Sequence, residues 1–305
     1  MKIVFFGTPD FATATLSAIV SANYDVVGVV TAPDRKAGRG RKISESSVKE
    51  FANKQSLKLL QPTNLKNEEF ISELIALKAD VFVVVAFRML PEVVWAMPPK
   101  GTFNIHASLL PQYRGAAPIN WAIINGEKKT GVSTFFLQHQ IDTGEIIGQV
   151  ETKIKENDNV EDLHDRLMLE GAKLAVKTLG AIENGKVKST PQPTDIYIQH
   201  APKIFKETCQ INWNQEAKKV HDFIRGLSPY PGAYTFLKTK QLKVFKTSKT
   251  TETTKLDPGV FTTDGKTSIA IATASGLLKL EEIQLEGKKR MNTEEFLRGY
   301  SNLFD

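Results

Sequence analysis

The sequence predicts an α/β protein: an open, mostly parallel sheet with helices on both faces, followed by a small β-barrel or sandwich. Three observations carry this reading. Strand-like and helix-like segments alternate up to Gly185. One run, residues 80–86 (DVFVVVA), is β-branched and apolar on both faces, as in a central parallel strand covered by helices. After Gly185 the pattern changes to short strands punctuated by Gly, Pro and Asp.

The elements follow in order. Residues 2–6 form an apolar run that meets Gly7 and reads as a buried strand. Residues 11–21 carry apolar side chains at helical spacing, and residues 25–31 (DVVGVVT) are strand-like. Residues 46–54 fit a helix with Ser46 or Ser47 at its N-cap, and residues 68–77 fit a second by periodicity. Residues 102–105 form a short strand, 116–124 a helix, and 132–136 with 145–154 a further strand pair. A long amphipathic helix over 160–182 stops at Asn184-Gly185. Repeated βα units place ligands at the carboxyl ends of the strands. Residues 189–202 (STPQPTDIYIQHAP) hold three prolines and little periodicity, and read as a linker. Beyond lie a helix at 215–225 and strands at 233–238, 241–247, 259–262, 268–273 and 277–286. The organisation expected is a first domain at 1–188, a linker at 189–203 and a second domain at 204–305.

Composition sets the outer bounds. A chain of 305 residues can bury two cores, and 41% apolar with 24% charged residues excludes a disordered or collagen-like chain. The net charge of +6 is compatible with a polyanionic partner. Residues 1–188 carry 23 basic and 21 acidic residues, whereas 189–305 carry 17 and 13. Lys238, Lys240, Lys243, Lys246 and Lys249 fall in one stretch, where alternate strand positions share a face able to track phosphates. A solvated, aggregation-resistant strand explains them equally well. Residues 34–42 set Arg35, Lys36, Arg39, Arg41 and Lys42 around Gly38 and Gly40, which suits a phosphate backbone or a merely solvated basic loop.

The single Cys209 excludes a disulfide framework and a Cys-based zinc site, and is expected as a small buried residue. His139, His164, His200 and His221 have no ligand spacing, so no metal is expected. The N-terminal apolar run is too short for a secretion signal and residues 81–87 are far short of a membrane span, so the expectation is a cytoplasmic protein with no membrane partner. Gly7-Thr8-Pro9-Asp10 follows the first strand in place of GxGxxG, and neither GxxxxGK[ST] nor HExxH occurs. A Rossmann-like sheet here carries no dinucleotide fingerprint.

The chemistry concentrates in residues 101–148. Asn104 and His106 stand two apart at the end of a strand, so their side chains share a face. Asp142 lies in a polar turn, QIDTG, entering a later strand. An amide donor, an imidazole and a carboxylate suit acyl transfer: the Asn donates to a developing oxyanion, the His donates or moves a proton, and the Asp orients or accepts. None is an activated nucleophile, which points to attack by the substrate's own nucleophile. Taken singly, Asn104 and Asp142 read equally well as turn residues and His106 as a half-buried hydrogen-bonded residue.

The run NIHASLLPQYRGAAPIN followed by DTGEII resembles the folate-dependent formyltransferases, most closely the members acting on methionyl-tRNA. FFGTPDFA, TAPDRKAGRGRK (31–42), QPTNL (61–65), DVFVVVAF (80–87) and residues 201–234 extend the resemblance over essentially the whole chain. It implies 10-formyltetrahydrofolate as formyl donor, the α-amine of methionine on initiator tRNA as acceptor, an OB-like β-barrel second domain and a monomer. Asn104 would hydrogen-bond the formyl oxygen with His106 as second donor, while Asp142 would hold His106 and help remove the ammonium proton. Ser108, Leu109, Leu110 and Pro111 would contact the folate through backbone and side chain. The pterin would lie against Phe87, Arg88, Met89 and Leu90. Arg39 matches an arginine of a loop that enters the acceptor stem; Arg35, Lys36, Arg41 and Lys42, with Lys243 and Lys246, complete the expected tRNA contacts. One departure stands out: Arg88 occupies a position where the family has Gly, in a loop one residue shorter, and it either meets solvent or reaches the folate tail. Transfer to an amino-sugar and hydrolysis of formyltetrahydrofolate are the competing enzyme readings. A non-catalytic RNA-binding module is the third.

Overall fold

The computed structural model describes residues 1–37, 42–250 and 252–304, apart from the side chains of residues 36, 37, 42 and 43. It divides into two compact units: Met1–Gly115 with Thr130–Thr152 and His164–His200, and Ala116–Lys129 with Lys153–Leu163 and Ala201–Asp305. The division therefore does not fall at one point in the chain, because residues 116–129 and 153–163 cluster with the C-terminal residues.

The chain begins with β1 (Lys2–Gly7), α1 (Asp10–Ser21) and β2 (Asp25–Val30), then a hairpin of β3 (Arg35–Ala37) and β4 (Lys42–Ser44). Next come α2 (Ser47–Lys54), β5 (Leu59–Leu60), α3 (Glu68–Ala76), β6 (Val81–Val85), α4 (Glu92–Trp95), β7 (Thr102–His106) and β8 (Arg114–Gly115). After α5 (Pro118–Ile124) follow β9 (Lys129–Phe136), β10 (Ile146–Lys153), α6 (Val160–Glu183) and β11 (His200–Ala201). Ser46 caps α2 by accepting from Lys49 N at 3.1 Å, and Asn67 caps α3 through Glu69 N and Phe70 N.

A seven-stranded sheet in the order β10-β9-β7-β6-β1-β2-β5 forms the first unit. Five strands, β5, β2, β1, β6 and β7, run parallel, and β9 runs antiparallel to β7. All five residues of β6 are buried, as its two-sided apolar run predicts. From β1 the chain builds outward through β2 to β5, then returns to lay β6 on the other side of β1. That reversal opens a crevice at the carboxyl ends of β1 and β6. The segment predicted as a linker is bound to this unit: Thr190 pairs with Ile146, and Gln199 accepts from Tyr113 N at 2.6 Å. The β3–β4 hairpin has no counterpart in the sequence reading.

In the second unit, α7 (Ala217–Arg225) precedes β12 (Ala233–Leu237), β13 (Lys240–Lys249), β14 (Phe261–Thr263), β15 (Ile269–Thr273), β16 (Gly276–Leu285), β17 (Met291–Asn292) and α8 (Thr293–Tyr300). The strands pair antiparallel in the order β12-β13-β16-β15-β14, with β17 on β16, giving an OB-like half-barrel. Val220 and Ile224 of α7 share one core with Val244, Ile271, Leu278, Leu280 and Ile283. On the helix's other side Asp222 is buried and receives Lys218 Nζ at 2.5 Å and Arg225 Nε at 2.8 Å; Arg225 Nη1 continues to the Asp158 carbonyl at 2.8 Å. Cys209 is buried in the shared core. Among the described residues no helix is long and apolar enough to cross a membrane.

Candidate active site

Asn104 and His106 project from the carboxyl end of β7, two residues apart, opposite Phe135 and Ser133 of β9. His106 is buried, and its Nε2 lies 2.8 Å from the Tyr113 carbonyl. A carbonyl can only accept, so the proton sits on Nε2 and Nδ1 is the nitrogen left to act. Nδ1 faces Asp142 Oδ2 at 3.9 Å, an ion-pair distance but too long for a hydrogen bond. The Tyr113 carbonyl thus fixes the imidazole from one side, and Asp142 faces its other nitrogen. Asn104 Oδ1 is buried and has no hydrogen-bond partner. Left unpaired in a buried position, such an atom costs about 1–3 kcal/mol.

Asp142 sits at φ +54°, in the left-handed region that non-glycine residues rarely adopt. Its Oδ2 accepts Gly115 N at 3.0 Å. Its carbonyl and that of Gly144 both accept Gln192 Nε2, at 2.9 and 2.8 Å. On its other end Gln192 Oε1 accepts Arg114 Nε and Nη2 at 3.1 and 2.7 Å. Sequence reasoning missed Gln192, because it stands between two prolines in a stretch without periodicity.

The 108–111 turn is held from within. Ser108 Oγ donates to the Gln112 carbonyl at 2.6 Å, so this side chain is engaged internally and leaves only backbone for a ligand. Ser133 Oγ donates to the Ser108 carbonyl at 2.6 Å and accepts Leu110 N at 3.1 Å. Gln149 Nε2 reaches the Leu110 carbonyl at 3.0 Å. Leu110 and Pro111 are buried and Leu109 is half-buried. After β6, Ala86 takes φ +46°, Phe87 packs edge-on to Phe6, and Leu90 enters the core. Met89 is 75% exposed. Arg88 is exposed, and its guanidinium donates to the Thr63 carbonyl at 2.8 Å and to the Pro62 carbonyl.

Of the expected tRNA contacts, Arg39 and Arg41 lie outside the described residues, as do the side chains of Lys36 and Lys42. Arg35 is exposed on β3. The lysine face of β13 is broken by two bulges, because Val244 and Lys246 oppose Ile283 and Glu282, and Thr247 then opposes Leu280. Lys246 is exposed, Lys243 Nζ donates to the Pro231 carbonyl at 2.8 Å, and Lys249 pairs with Glu156 at 2.7 Å.

Residues 1–179 match the formyl transferase model and residues 203–301 the formyl transferase C-terminal domain model. The chain belongs to the formyl transferase family. The methionyl-tRNA formyltransferase of Bacteroides fragilis is 54% identical over 308 residues, covering 98% of this chain and 95% of its own. That of Flavobacterium johnsoniae is 52% identical over 303 residues, covering 98% and 96%. The N-formyltransferase from Helicobacter canadensis, solved with folinic acid and dTDP-3-aminofucose, superposes with a TM-score of 0.68 at 20% identity, over 95% of this chain and 100% of that one. HypX from Aquifex aeolicus, solved with tetrahydrofolic acid, gives 0.67 at 18% identity over 97% of this chain and 47% of its own. At those identities the solved structures share the fold.

Within this formyl transferase, Gly144 has a defined task. A Cβ there would stand 1.7 Å from the Phe136 carbonyl oxygen, a backbone atom that cannot turn away. Gly144→Ala is expected to cost about 1–3 kcal/mol and to push the Asp142 turn off β9. The drop is read as a lower thermal midpoint, and an unchanged midpoint would count against this packing.

Proposed function

We infer that this formyl transferase moves the formyl group of 10-formyltetrahydrofolate to the α-amine of initiator methionyl-tRNA, the step that prepares the charged tRNA for translation initiation. One observation carries the reading. Asn104 and His106 stand two apart on β7 with Asp142 3.9 Å from the imidazole, in a chain 54% identical to a methionyl-tRNA formyltransferase over 98% of its length.

The residues present suit a folate. Asn104 is half-buried at the end of β7, while Leu109 and Met89 offer apolar surface after the carboxyl ends of adjacent strands. When bound, the folate would supply the formyl group: the methionyl amine bonds to its carbonyl carbon, the bond from that carbon to the folate nitrogen breaks, and that nitrogen takes up a proton as the amine sheds one. Asn104 Nδ2 donates to the formyl oxygen as negative charge gathers there. His106 Nδ1 works opposite the Asp142 carboxylate, which offsets any positive charge the ring takes. Asp142, held by Gly115 N, receives the proton the amine sheds, directly or through water. An α-amine has a pKa of about 8, so only modest help with that proton is needed near neutrality. Backbone of residues 108–111 and the loop of Phe87, Arg88, Met89 and Leu90 would hold the folate, with Arg88 bracing the loop.

Residues 1–188 would act as the catalytic domain, 189–203 as its connection and 204–305 as a tRNA-binding domain, in a cytoplasmic monomer. The acceptor arm would be gripped by Arg35, Lys36, Arg39, Arg41 and Lys42, with Lys246 and the partly engaged Lys243 assisting by shape and phosphate contacts. Replacing Arg39 and Arg41 by Gln is expected to weaken tRNA binding. It should also lower the slope of log affinity against log salt by about 0.7–0.9 per arginine that meets a phosphate. An unchanged slope removes those arginines from the interface.

The deciding experiment supplies 10-formyltetrahydrofolate with charged initiator tRNA, charged elongator tRNA or a dTDP-amino sugar. Formyl transfer to the initiator tRNA, with little to the elongator and none to the sugar, supports the reading. Transfer to the sugar alone, hydrolysis alone, or RNA binding without transfer overturns it.

A further inference from the structure

Gln192 lies in the segment read from sequence as linker, yet it is only 7% exposed. Both ends of its carboxamide are engaged, on two different loops. Oε1 accepts two Arg114 nitrogens, and Nε2 donates to the carbonyls of Asp142 and Gly144. A guanidinium only donates and a carbonyl only accepts, so the orientation of this amide is unambiguous. The ring closes through Gly115, the residue after Arg114, whose N–H donates to Asp142 Oδ2 at 3.0 Å. Asp142 is therefore held twice, once through its backbone and once through its carboxylate. Its left-handed backbone, φ +54°, is one that a non-glycine residue needs its surroundings to impose.

We propose that Gln192 is a positioning residue that sets the Asp142 carboxylate against His106 for formyl transfer. It acts from behind the site, and the importance of Asp142 to the reaction rests on the function proposed above. Releasing Gln192 frees the 142–144 turn and with it the 3.9 Å spacing to His106. A misplacement on the order of 1 Å costs about 100-fold in rate.

Two variants test this. Gln192→Glu keeps its size and its bond to Arg114, but turns an oxygen toward two carbonyls. Gln192→Ala removes both ends. Both are expected to lower kcat by about 10- to 100-fold with KM for folate and tRNA changed by less than about threefold, as a positioning defect requires. Amide exchange at Gly115 reports the Asp142 contact without any turnover. It should accelerate at least about tenfold while the β6 amides keep their protection. Wild-type kcat in Gln192→Glu, a KM rise at unchanged kcat, or unchanged Gly115 exchange would overturn the proposal. Should Gln192→Ala lose its fold, the isosteric Glu variant carries the test. If the unaltered protein transfers no formyl group, the proposed function fails, while Gly115 exchange still decides the clamp.

Discussion

Asn104→Ala is expected to lower kcat by about 100- to 1,000-fold while tRNA affinity stays within about twofold. The magnitude is that of one oxyanion donor, about 2.7–4 kcal/mol of transition-state stabilisation. What makes the test clean is that the Asn104 amide oxygen has no hydrogen-bond partner among the described residues. Truncating it breaks nothing in the fold, and the thermal midpoint should hold or rise slightly. Activity and stability therefore separate at this residue. A variant that keeps kcat within about threefold would remove Asn104 from the chemistry, and a falling midpoint would show that the amide has a structural partner after all.

Asp222→Asn should be the most damaging single change in the second unit, at about 3–5 kcal/mol, because it leaves a buried guanidinium without its counter-charge. Arg225 is 8% exposed, and besides Asp222 it donates to the carbonyls of Lys155 and Asp158. Burial alone would push the Asp222 carboxyl up, but hydrogen bonds from Lys218 and Arg225 outweigh it and hold the group below the usual carboxylate range. A carboxyl lowered on folding adds stability that is complete above its unfolded pKa of about 3.9 and disappears as the pH falls through its folded value. Urea titrations from pH 7 to pH 2 should show this acid-dependent stability in the parent and its loss in Asp222→Asn. A cost below about 1 kcal/mol at pH 7 would mean that Arg225 finds other partners.

Much of the first unit was legible because its signals are local. The β6 run declares a central strand, Asn104 and His106 share a face by the period of a strand, and Ser46 caps the helix it precedes. What escaped depends on partners remote in sequence. Gln192 meets residues 78, 50 and 48 positions away, and no pattern within its own proline-bounded stretch signals them. The same holds for Arg88, whose carbonyl partners lie 25 and 26 residues upstream. Lys243 misled for the same reason, since its ammonium donates to the carbonyl of Pro231, twelve positions upstream on the other side of a turn. α8 left a readable trace that went unread: Asn292 caps it through Glu295 N, and Phe296 and Leu297 bury one side.

The bound segment also changes what counts as a module. Residues 190, 192 and 199 return hydrogen bonds to residues 146, 142, 144 and 113, so the chain leaves the first unit for the last time after His200. A fragment cut at 188 would discard the brace of its own catalytic turn, whereas one ending at 200 would keep it. Exchange of C-terminal segments between formyl transferases would keep this brace when spliced at 200, whereas a chimera spliced at 188 would take the residue facing the 142–144 turn from the other parent.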